Sequence, residues 1–188
     1  MQKALLRKEM KQRRAALSEE IRESGGRDVC DLVASTPEWQ QANTIGLYAS
    51  FGHEVPTSAL FTAAWNAGKR VVIPRVTQRA APLTFCAIAP ESSFTKGAYG
   101  IKEPEEGSRI VRVQDIDLLV MPALAMSPTG DRLGWGGGYY DRTLQPVPSL
   151  VRFAIIFDCQ LLDTIPSQPN DIHIPVVVTP TRILRIGR

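Results

Sequence analysis

Apolar residues in this chain fall into short continuous runs, and longer stretches between them carry apolar residues at helical spacing. The runs predict the strands TIGLYAS (44–50), RVVIP (70–74), LTFCAI (83–88), DLLVMP (117–122), VRFAIIF (151–157), VVVT (176–179) and RILRI (182–186). Near-continuous apolar strands separated by helices are typical of a largely parallel sheet that is covered on both faces. We therefore expect an α/β protein with a three-layer α/β/α architecture and a mainly parallel sheet.

Three helices are predicted ahead of and between these strands. Residues 2–16 are rich in Ala, Leu, Lys and Arg and contain no Gly or Pro, which favours a helix. Ser18, followed by two glutamates, predicts the N-cap of a second helix. We expect that helix to break near residues 24–26, Ser-Gly-Gly, and to resume toward Ala34. A third helix is predicted at residues 57–68.

The chain of 188 residues has the length of one domain, and we assign residues 1–188 to it. We find no internal repeat and no low-complexity linker. A loop rich in Gly, Pro and Glu covers residues 89–108. Because long structureless loops are uncommon within a domain, we interpret this one as functional or as an insertion.

Composition excludes several classes of protein. The chain is 44% hydrophobic and 22% charged, which is typical of a globular protein. No apolar run approaches the roughly 18 to 20 residues that span a bilayer, and the N-terminus is too densely charged for a signal peptide. We expect a cytoplasmic monomer with no membrane partner. Three widely separated cysteines and two histidines argue against a zinc site.

Positive charge is concentrated at the N-terminus. Residues 1–14 carry six basic residues against one acid, whereas the remainder holds 16 basic and 18 acidic residues. This distribution argues against a surface built for nucleic acid, and we expect no nucleic-acid partner. Lys3 and Arg7 lie one helical turn apart, and Lys11 and Arg14 continue the same face. From the sequence alone this face is either a solvated basic surface or an anion-binding one.

The segment GDRLGWGGGYYDR, residues 130–142, follows the most apolar predicted strand. It fits neither the GxxxxGK[ST] phosphate loop nor the GxGxxG dinucleotide pattern. Glycines allow successive backbone N–H groups to converge on an anion, and a helix beginning at the following tyrosines adds partial positive charge. The two flanking arginines, Arg132 and Arg142, add full charges. The segment is therefore either an ordinary glycine-rich turn or a phosphate cradle, with Asp141 as a magnesium ligand.

The longer string MPALAMSPTGDRLGWGGGYYDRTL resembles the signature of the 5-formyltetrahydrofolate cyclo-ligase family, P-G-L-A-F-D-x-x-G-x-R-L-G-x-G-x-G-Y-Y-D-R. Three other parts resemble family patterns in the same order along the chain: the N-terminal KALLRKEMKQRRAALS, LYASFGHEVPT with VVIPRV, and the C-terminal NDIHIPVVVTPTRILRIG. The resemblance covers essentially the whole chain. It implies a fold similar to the NagB/RpiA/CoA-transferase-like architecture.

The resemblance also implies an activity, which is the ATP- and Mg²⁺-dependent cyclisation of 5-formyltetrahydrofolate to 5,10-methenyltetrahydrofolate. ADP and phosphate are released. An amide-like formyl oxygen is a poor leaving group until it receives the γ-phosphoryl group, after which N10 can attack the formyl carbon. Such phosphoryl transfer depends on positioning and charge neutralisation more than on a protein nucleophile. The implied partners are small molecules: the folate substrate, the co-substrate ATP and Mg²⁺.

The resemblance assigns roles to individual residues. ATP is expected to contact Lys3, Arg7, Arg132, Leu133, Gly134, Trp135, Gly136, Gly137, Gly138, Tyr139 and Tyr140. Arg132 and Tyr140 among these are expected to be catalytic. Folate is expected to contact Tyr48, Glu54, Trp135, Gly136 and Tyr139, with the Glu54 carboxylate pairing with the amino-pyrimidine edge of the pterin. Asp141 and Asp171 are the expected metal ligands.

Two departures from the family pattern keep an alternative open. Ser127 replaces an aspartate, and Pro175 stands where many members have an acid. A nucleotide- or folate-binding regulatory protein without turnover would also fit these residues. A third alternative is an RNA-binding module that uses the basic N-terminal helix, but aromatic-interleaved RNA motifs are missing.

Overall fold

The computed structural model describes residues 2–97 and 100–187, and five α-helices form within them. They are α1 (Gln2–Ala15), α2 (Glu19–Ala34), α3 (Pro37–Gln41), α4 (Ser58–Asn66) and α5 (Tyr139–Leu144). Ser18 caps α2 as predicted, since the backbone N–H of Ile21 donates to its Oγ at 3.2 Å. None of the helices within the described residues is long and apolar enough to cross a membrane.

The predicted break in α2 is wrong, because the helix runs through both of its glycines without interruption. A Cβ on Gly26 would lie 2.8 Å from Pro56, and one on Gly25 would lie 3.1 Å from Pro180. Glycine in a helix interior costs roughly 1 kcal/mol relative to alanine. Here the two glycines allow α2 to approach its neighbours closely, and the buried contacts offset that cost.

Strands form at all seven predicted places, and five additional short strands accompany them. They are β1 (Thr44–Gly46), β2 (Arg70–Arg75), β3 (Thr84–Ile88), β4 (Phe94–Lys96), β5 (Lys102–Pro104), β6 (Ile110–Val111), β7 (Leu118–Pro122), β8 (Ala125–Met126), β9 (Arg132–Leu133), β10 (Val151–Ile155), β11 (Val176–Thr179) and β12 (Arg182–Arg185). Two predicted strands are more than one residue shorter than expected: β1 ends at Gly46 and β10 at Ile155.

Eight strands form one sheet in the order β12-β11-β10-β7-β1-β2-β3-β6. The five central strands, from β11 to β2, are all parallel to their neighbours, which confirms the mainly parallel sheet. β3, β6 and β12 are antiparallel additions at the two edges. The carboxyl ends of the parallel strands, where ligands bind in open α/β sheets, therefore lie along one edge.

Apolar side chains cover both faces of the sheet, but unequally. One face packs against the helices α2, α3 and α4 in a cluster that includes Val29, Trp39 and Leu60. The other face is covered by the short α5 and by irregular chain, with Leu144 and Ile174 among the buried residues. The α/β class is confirmed, and the layer on the α5 side is the thinner one.

The predicted loop at 89–108 is not structureless. β4 and β5 form an antiparallel hairpin inside it, with Thr95 opposite Glu103. The strands have three residues each, too few to give a recognisable alternation in the sequence. A second small hairpin, β8-β9, carries the chain from β7 into the glycine segment.

Candidate active site

A cleft of about 810 Å³ opens beyond the carboxyl ends of the central strands β1, β2 and β7. Every residue to which the family resemblance assigned a ligand-contacting role lines this one cleft. These residues are Lys3, Arg7, Tyr48, Glu54, Arg132, Leu133, Gly134, Trp135, Gly136, Gly137, Gly138, Tyr139, Tyr140, Asp141 and Asp171. They come from helix α1, from the loop after β1, from β9 and the glycine segment, and from the region before β11.

One end of the cleft, here called the basic end, comprises Lys3, Arg7, Arg132, the glycine segment 134–138, Asp141 and Asp171. A hydrogen bond connects the glycine segment to α1: Arg7 Nε donates to the Gly134 carbonyl at 2.9 Å. Gly136 has φ +101°, and a Cβ there would lie 3.2 Å from the Arg7 guanidinium. A side chain at this position would thus strain the backbone and also displace the arginine.

Arg132 is the most enclosed cation of the basic end, with 8% of its surface exposed. Its Nη1 donates to the Pro122 carbonyl at 3.3 Å, and its Nη2 lies 3.7 Å from Asp141 Oδ1. The guanidinium also lies 5.3 Å from the centre of the Tyr140 ring. Burial lowers the pKa of Arg132, and the nearby Asp141 carboxylate opposes that change. Since arginine stays protonated in proteins, a fixed positive charge is held in the cleft.

The two carboxylates of the basic end are already paired. Lys3 Nζ donates to Asp171, which also accepts from the Gln168 backbone at 2.7 Å. Asp141 accepts from the Ile172 backbone at 3.2 Å in addition to facing Arg132. Within residues 2–97 and 100–187, no group of three or more His, Cys, Asp or Glu could hold a metal ion. The pair suits a cation such as Mg²⁺, which takes one or two carboxylates and completes its shell with phosphate and water.

The other end of the cleft, here called the carboxylate end, comprises Tyr48, Phe51, Glu54 and Trp135. Glu54 is only 4% exposed. Trp135 Nε1 donates to its Oε1 at 3.1 Å, and the Phe51 backbone N–H donates to its Oε2 at 3.2 Å. Burial raises the pKa of Glu54 to about 7, against the opposing effects of these hydrogen bonds and of Arg14.

The Trp135 ring connects the two ends. Phe51 packs on it with ring centres 5.2 Å apart and planes tilted by 32°. Lys11 Nζ and the Arg14 guanidinium, both from α1, lie 4.6 and 5.3 Å from the ring centre. The basic face predicted from the helical spacing therefore contacts the cleft along its length: Lys3 and Arg7 at the basic end, Lys11 and Arg14 at Trp135.

The sequence reasoning missed the wall opposite the glycine segment. It consists of the loop after β2, with Arg79 and Ala80, and of the β4-β5 hairpin, with Lys102 and Glu103. Glu103 is 7% exposed, and its Oε1 accepts from the Val76 backbone at 3.3 Å, which ties the hairpin to the end of β2. The unusual length of the 89–108 loop was the available signal.

Several polar and aromatic residues near the site do not line the cleft. Ser127 is buried in the β8-β9 turn, where its Oγ accepts from the Asp131 backbone at 3.0 Å, so the departure from the family pattern lies outside the lining. Arg142 does not line the cleft either, since it donates to the Gly137 carbonyl and lies over Tyr139. Gln160 binds the carbonyls of residues 123 and 124 and is structural. Trp39 packs in the core.

A model of the 5-formyltetrahydrofolate cyclo-ligase family matches residues 1–180. The chain belongs to this family. Its relatives include the 5-formyltetrahydrofolate cyclo-ligase of Escherichia coli K12, which is 34% identical over 178 residues, 93% of this chain and 98% of the relative. The cyclo-ligase of Haemophilus influenzae is 30% identical over 171 residues, 89% of this chain and 91% of the relative.

A solved cyclo-ligase-family structure agrees with the fold. The NMR structure of Aquifex aeolicus 5,10-methenyltetrahydrofolate synthetase superposes with a TM-score of 0.88 at 31% identity, and the match covers 100% of this chain and 95% of that one. The family resemblance and the α/β class predicted from the sequence are thereby confirmed. The more specific likeness to the NagB/RpiA architecture stays a prediction.

Proposed function

We propose that this chain is a 5-formyltetrahydrofolate cyclo-ligase, which converts 5-formyltetrahydrofolate and ATP into 5,10-methenyltetrahydrofolate, ADP and phosphate in the cleft beyond β1, β2 and β7. Its membership of the cyclo-ligase family supports the reaction. The observation that carries the site assignment is a single cleft with two chemically different ends. A basic, glycine-rich end suits a triphosphate, and an aromatic end with one buried carboxylate suits a pterin.

At the basic end, Lys3, Arg7 and Arg132 bind the ATP phosphates together with the glycine segment. The fixed charge of Arg132 favours the charge that develops on the transferred phosphoryl group, and preorganised charge of this kind stabilises a transition state strongly. Tyr140, whose ring lies under the Arg132 guanidinium, holds that side chain in place. We assign the two residues together to the catalytic step.

Asp141 and Asp171 are proposed to hold Mg²⁺. The fit rests on two carboxylates at the phosphate-binding end, each lining the cleft and each held by a backbone N–H. When bound, Mg²⁺ neutralises charge on the β- and γ-phosphates. Lys3 and Arg132 contact the same two carboxylates, so a metal ion held there would leave these cations available to the phosphates.

At the carboxylate end, Glu54 accepts hydrogen bonds from the amino-pyrimidine edge of the pterin, whose adjacent N–H groups match a carboxylate. Tyr48 and Tyr139 line the space beside it. The bound folate directs its N5-formyl oxygen toward the γ-phosphate of ATP. The oxygen bonds to phosphorus, ADP leaves, N10 attacks the formyl carbon and loses its proton, and the C–O bond breaks to release phosphate.

The direct test mixes purified protein with 5-formyltetrahydrofolate, ATP and Mg²⁺ and follows the near-ultraviolet absorbance of methenyltetrahydrofolate. We expect product only with ATP, and one ADP for each product molecule. Replacing ATP with a non-hydrolysable analogue is the matched control and should give none. Binding of both ligands without product would overturn the enzymatic function and favour a regulatory binding protein.

A further inference from the structure

Arg14 is a buried cation that forms no ion pair with any other residue of the ranges 2–97 and 100–187. Only 4% of its surface is exposed, although it lies on helix α1 with the other basic residues. Its Nε has no hydrogen-bond partner, and no carboxylate oxygen lies within 4 Å of it among residues 2–97 and 100–187. Burying an unpaired charge is costly unless nearby groups compensate for it. The surroundings of Arg14 should therefore supply that compensation.

Two groups at the carboxylate end do so. The Arg14 guanidinium lies 5.3 Å from the centre of the Trp135 ring, and the electron-rich face of an aromatic ring attracts a desolvated cation. Beyond the ring, Trp135 Nε1 donates to Glu54, whose charge opposes the lowering of the Arg14 pKa by burial. A line of contacts thus runs from α1 through an indole to a buried carboxylate.

Lys11 contacts the same ring and supplies a contrast. Its Nζ is closer to the ring centre, at 4.6 Å, but the side chain is exposed. Solvent screens an exposed charge far more than a buried one. Arg14 and Lys11 therefore hold the same indole in similar ways and differ in how strongly their charge acts on Glu54.

We propose that Arg14 is a positioning residue for folate binding: it fixes the indole that donates to Glu54 and places a buried positive charge behind that indole. The inference rests on the proposed function, because it takes Glu54 as the group that binds the pterin. Arg14 itself stays behind the Trp135 ring and does not line the cleft.

The direction of the effect follows from the groups that face Glu54. Burial raises its pKa to about 7, whereas Arg14 from α1, the Phe51 N–H and the Trp135 indole lower it. Tyr48 after β1 and Tyr140 in α5 also face it, and burial keeps both phenols protonated by raising their pKa values. Removing the Arg14 charge should raise the Glu54 pKa further. Less of the carboxylate is then ionised near pH 7, and recovery requires higher pH.

The test measures 5-formyltetrahydrofolate binding without ATP, by calorimetry, from pH 6 to pH 8.5. In the unchanged protein, affinity should fall below about pH 7. In Arg14→Met we expect the midpoint of the pH dependence of folate affinity to rise by about one pH unit. Affinity then drops about fivefold at pH 7 and nearly recovers at pH 8.5. Arg14→Lys, which keeps the charge, should restore the midpoint. Lys11→Met, which removes only the exposed cation, should leave it unchanged.

A second readout does not depend on folate. The ¹³C shift of the Glu54 carboxyl group, followed against pH, should show the same upward displacement in Arg14→Met. If Arg14→Met lost the same fraction of folate affinity at every pH and the Glu54 carboxyl group titrated as in the unchanged protein, the inference would be overturned. Arg14 would then have only a packing role. Failure of the unchanged protein to bind folate at all, with a displaced carboxyl titration in Arg14→Met, would instead refute the function of the cleft.

Discussion

The two ends of the cleft handle charge in opposite ways. At the basic end, Lys3 pairs with Asp171 and Arg132 faces Asp141, so cations and carboxylates neutralise one another before any ligand arrives. At the carboxylate end, Glu54 is buried with two neutral hydrogen-bond donors and has no ion pair within 4 Å among the described residues. The first arrangement sets opposite charges against one another. The second makes ligand binding depend on one titrating group.

The largest effect that would separate the two ends is expected for Arg132→Ala. Loss of a preorganised charge at a phosphoryl-transfer site costs about 3–4 kcal/mol, or roughly 10²- to 10³-fold in kcat/KM for ATP. Folate binding, measured by calorimetry without ATP, should change by no more than about twofold. Equal loss of both would show that Arg132 does not belong to the basic end alone.

Arg142→Ala is the matched control for this variant. It removes a second arginine from the same segment, but one that does not line the cleft and donates to the Gly137 carbonyl. We expect it to retain most of the ATP-dependent rate. A comparable loss in both variants would point to disruption of the glycine segment instead of loss of a charge that acts on phosphate.

Glu54 should also affect stability. Its pKa in the folded protein, about 7, lies above its ordinary value near 4.5, so the native state binds more protons than the unfolded state in that interval. The free energy of unfolding should therefore fall by about 3 kcal/mol as pH rises from 4.5 to 7, and the loss is complete above pH 7. Urea unfolding at several pH values should show this slope, and Glu54→Gln should remove it. An unchanged slope in that variant would refute the raised pKa.

Glu54→Gln should weaken the carboxylate end selectively. Replacing charge-assisted hydrogen bonds by neutral ones costs about 2 kcal/mol, which corresponds to roughly thirtyfold in folate affinity. The measurement belongs at pH 8, where the carboxylate of the unchanged protein is ionised. ATP affinity is the internal control and should be preserved; a parallel fall in ATP affinity would contradict the separation of the two ends.

The smallest of these effects is expected for Gly136→Ala. Its φ of +101° and the 3.2 Å approach of the Arg7 guanidinium mean that a methyl group distorts the segment, raising KM for ATP about tenfold. Gly107→Ala provides the control, because that residue has φ +90° but nothing within 4 Å of an added Cβ and lies outside the cleft. It should lose similar stability without any change in KM. An identical KM in both variants would show that backbone strain, not position in the cleft, determines the result.

Much of the fold and of the basic end could be predicted from the sequence. Apolar runs such as DLLVMP reveal buried parallel strands directly, and the spacing of Lys3 and Arg7 places them on one helix face. The course of α2 could not be predicted, because the approach of Pro56 and Pro180 to its glycines is a contact between distant parts of the chain. The strands of the β4-β5 hairpin are too short to show an alternation of apolar and polar residues in the sequence.

The link between the ends was also beyond sequence reasoning. Trp135 and Glu54 are 81 positions apart, and the hydrogen bond between them leaves no local pattern. The basic spacing placed Arg14 on the same helix face as Lys3, but its burial depends on how α1 packs against the glycine segment. Periodicity identifies which residues share a helix face, but only tertiary packing determines which of them are buried.

Helix α1 also fixes the distance between two sets of contacts with the cleft. A rigid α-helix rises about 1.5 Å per residue, so Lys3 and Arg14 are held roughly 16 Å apart along its axis. We expect that length to set the separation between the cations proposed to bind the triphosphate and the indole that donates to Glu54. One residue inserted between Arg7 and Lys11 would rotate the two halves of the face by about 100° relative to each other. Every charge would be retained, but Lys3 and Arg7 would no longer lie on the same face of the helix as Lys11 and Arg14.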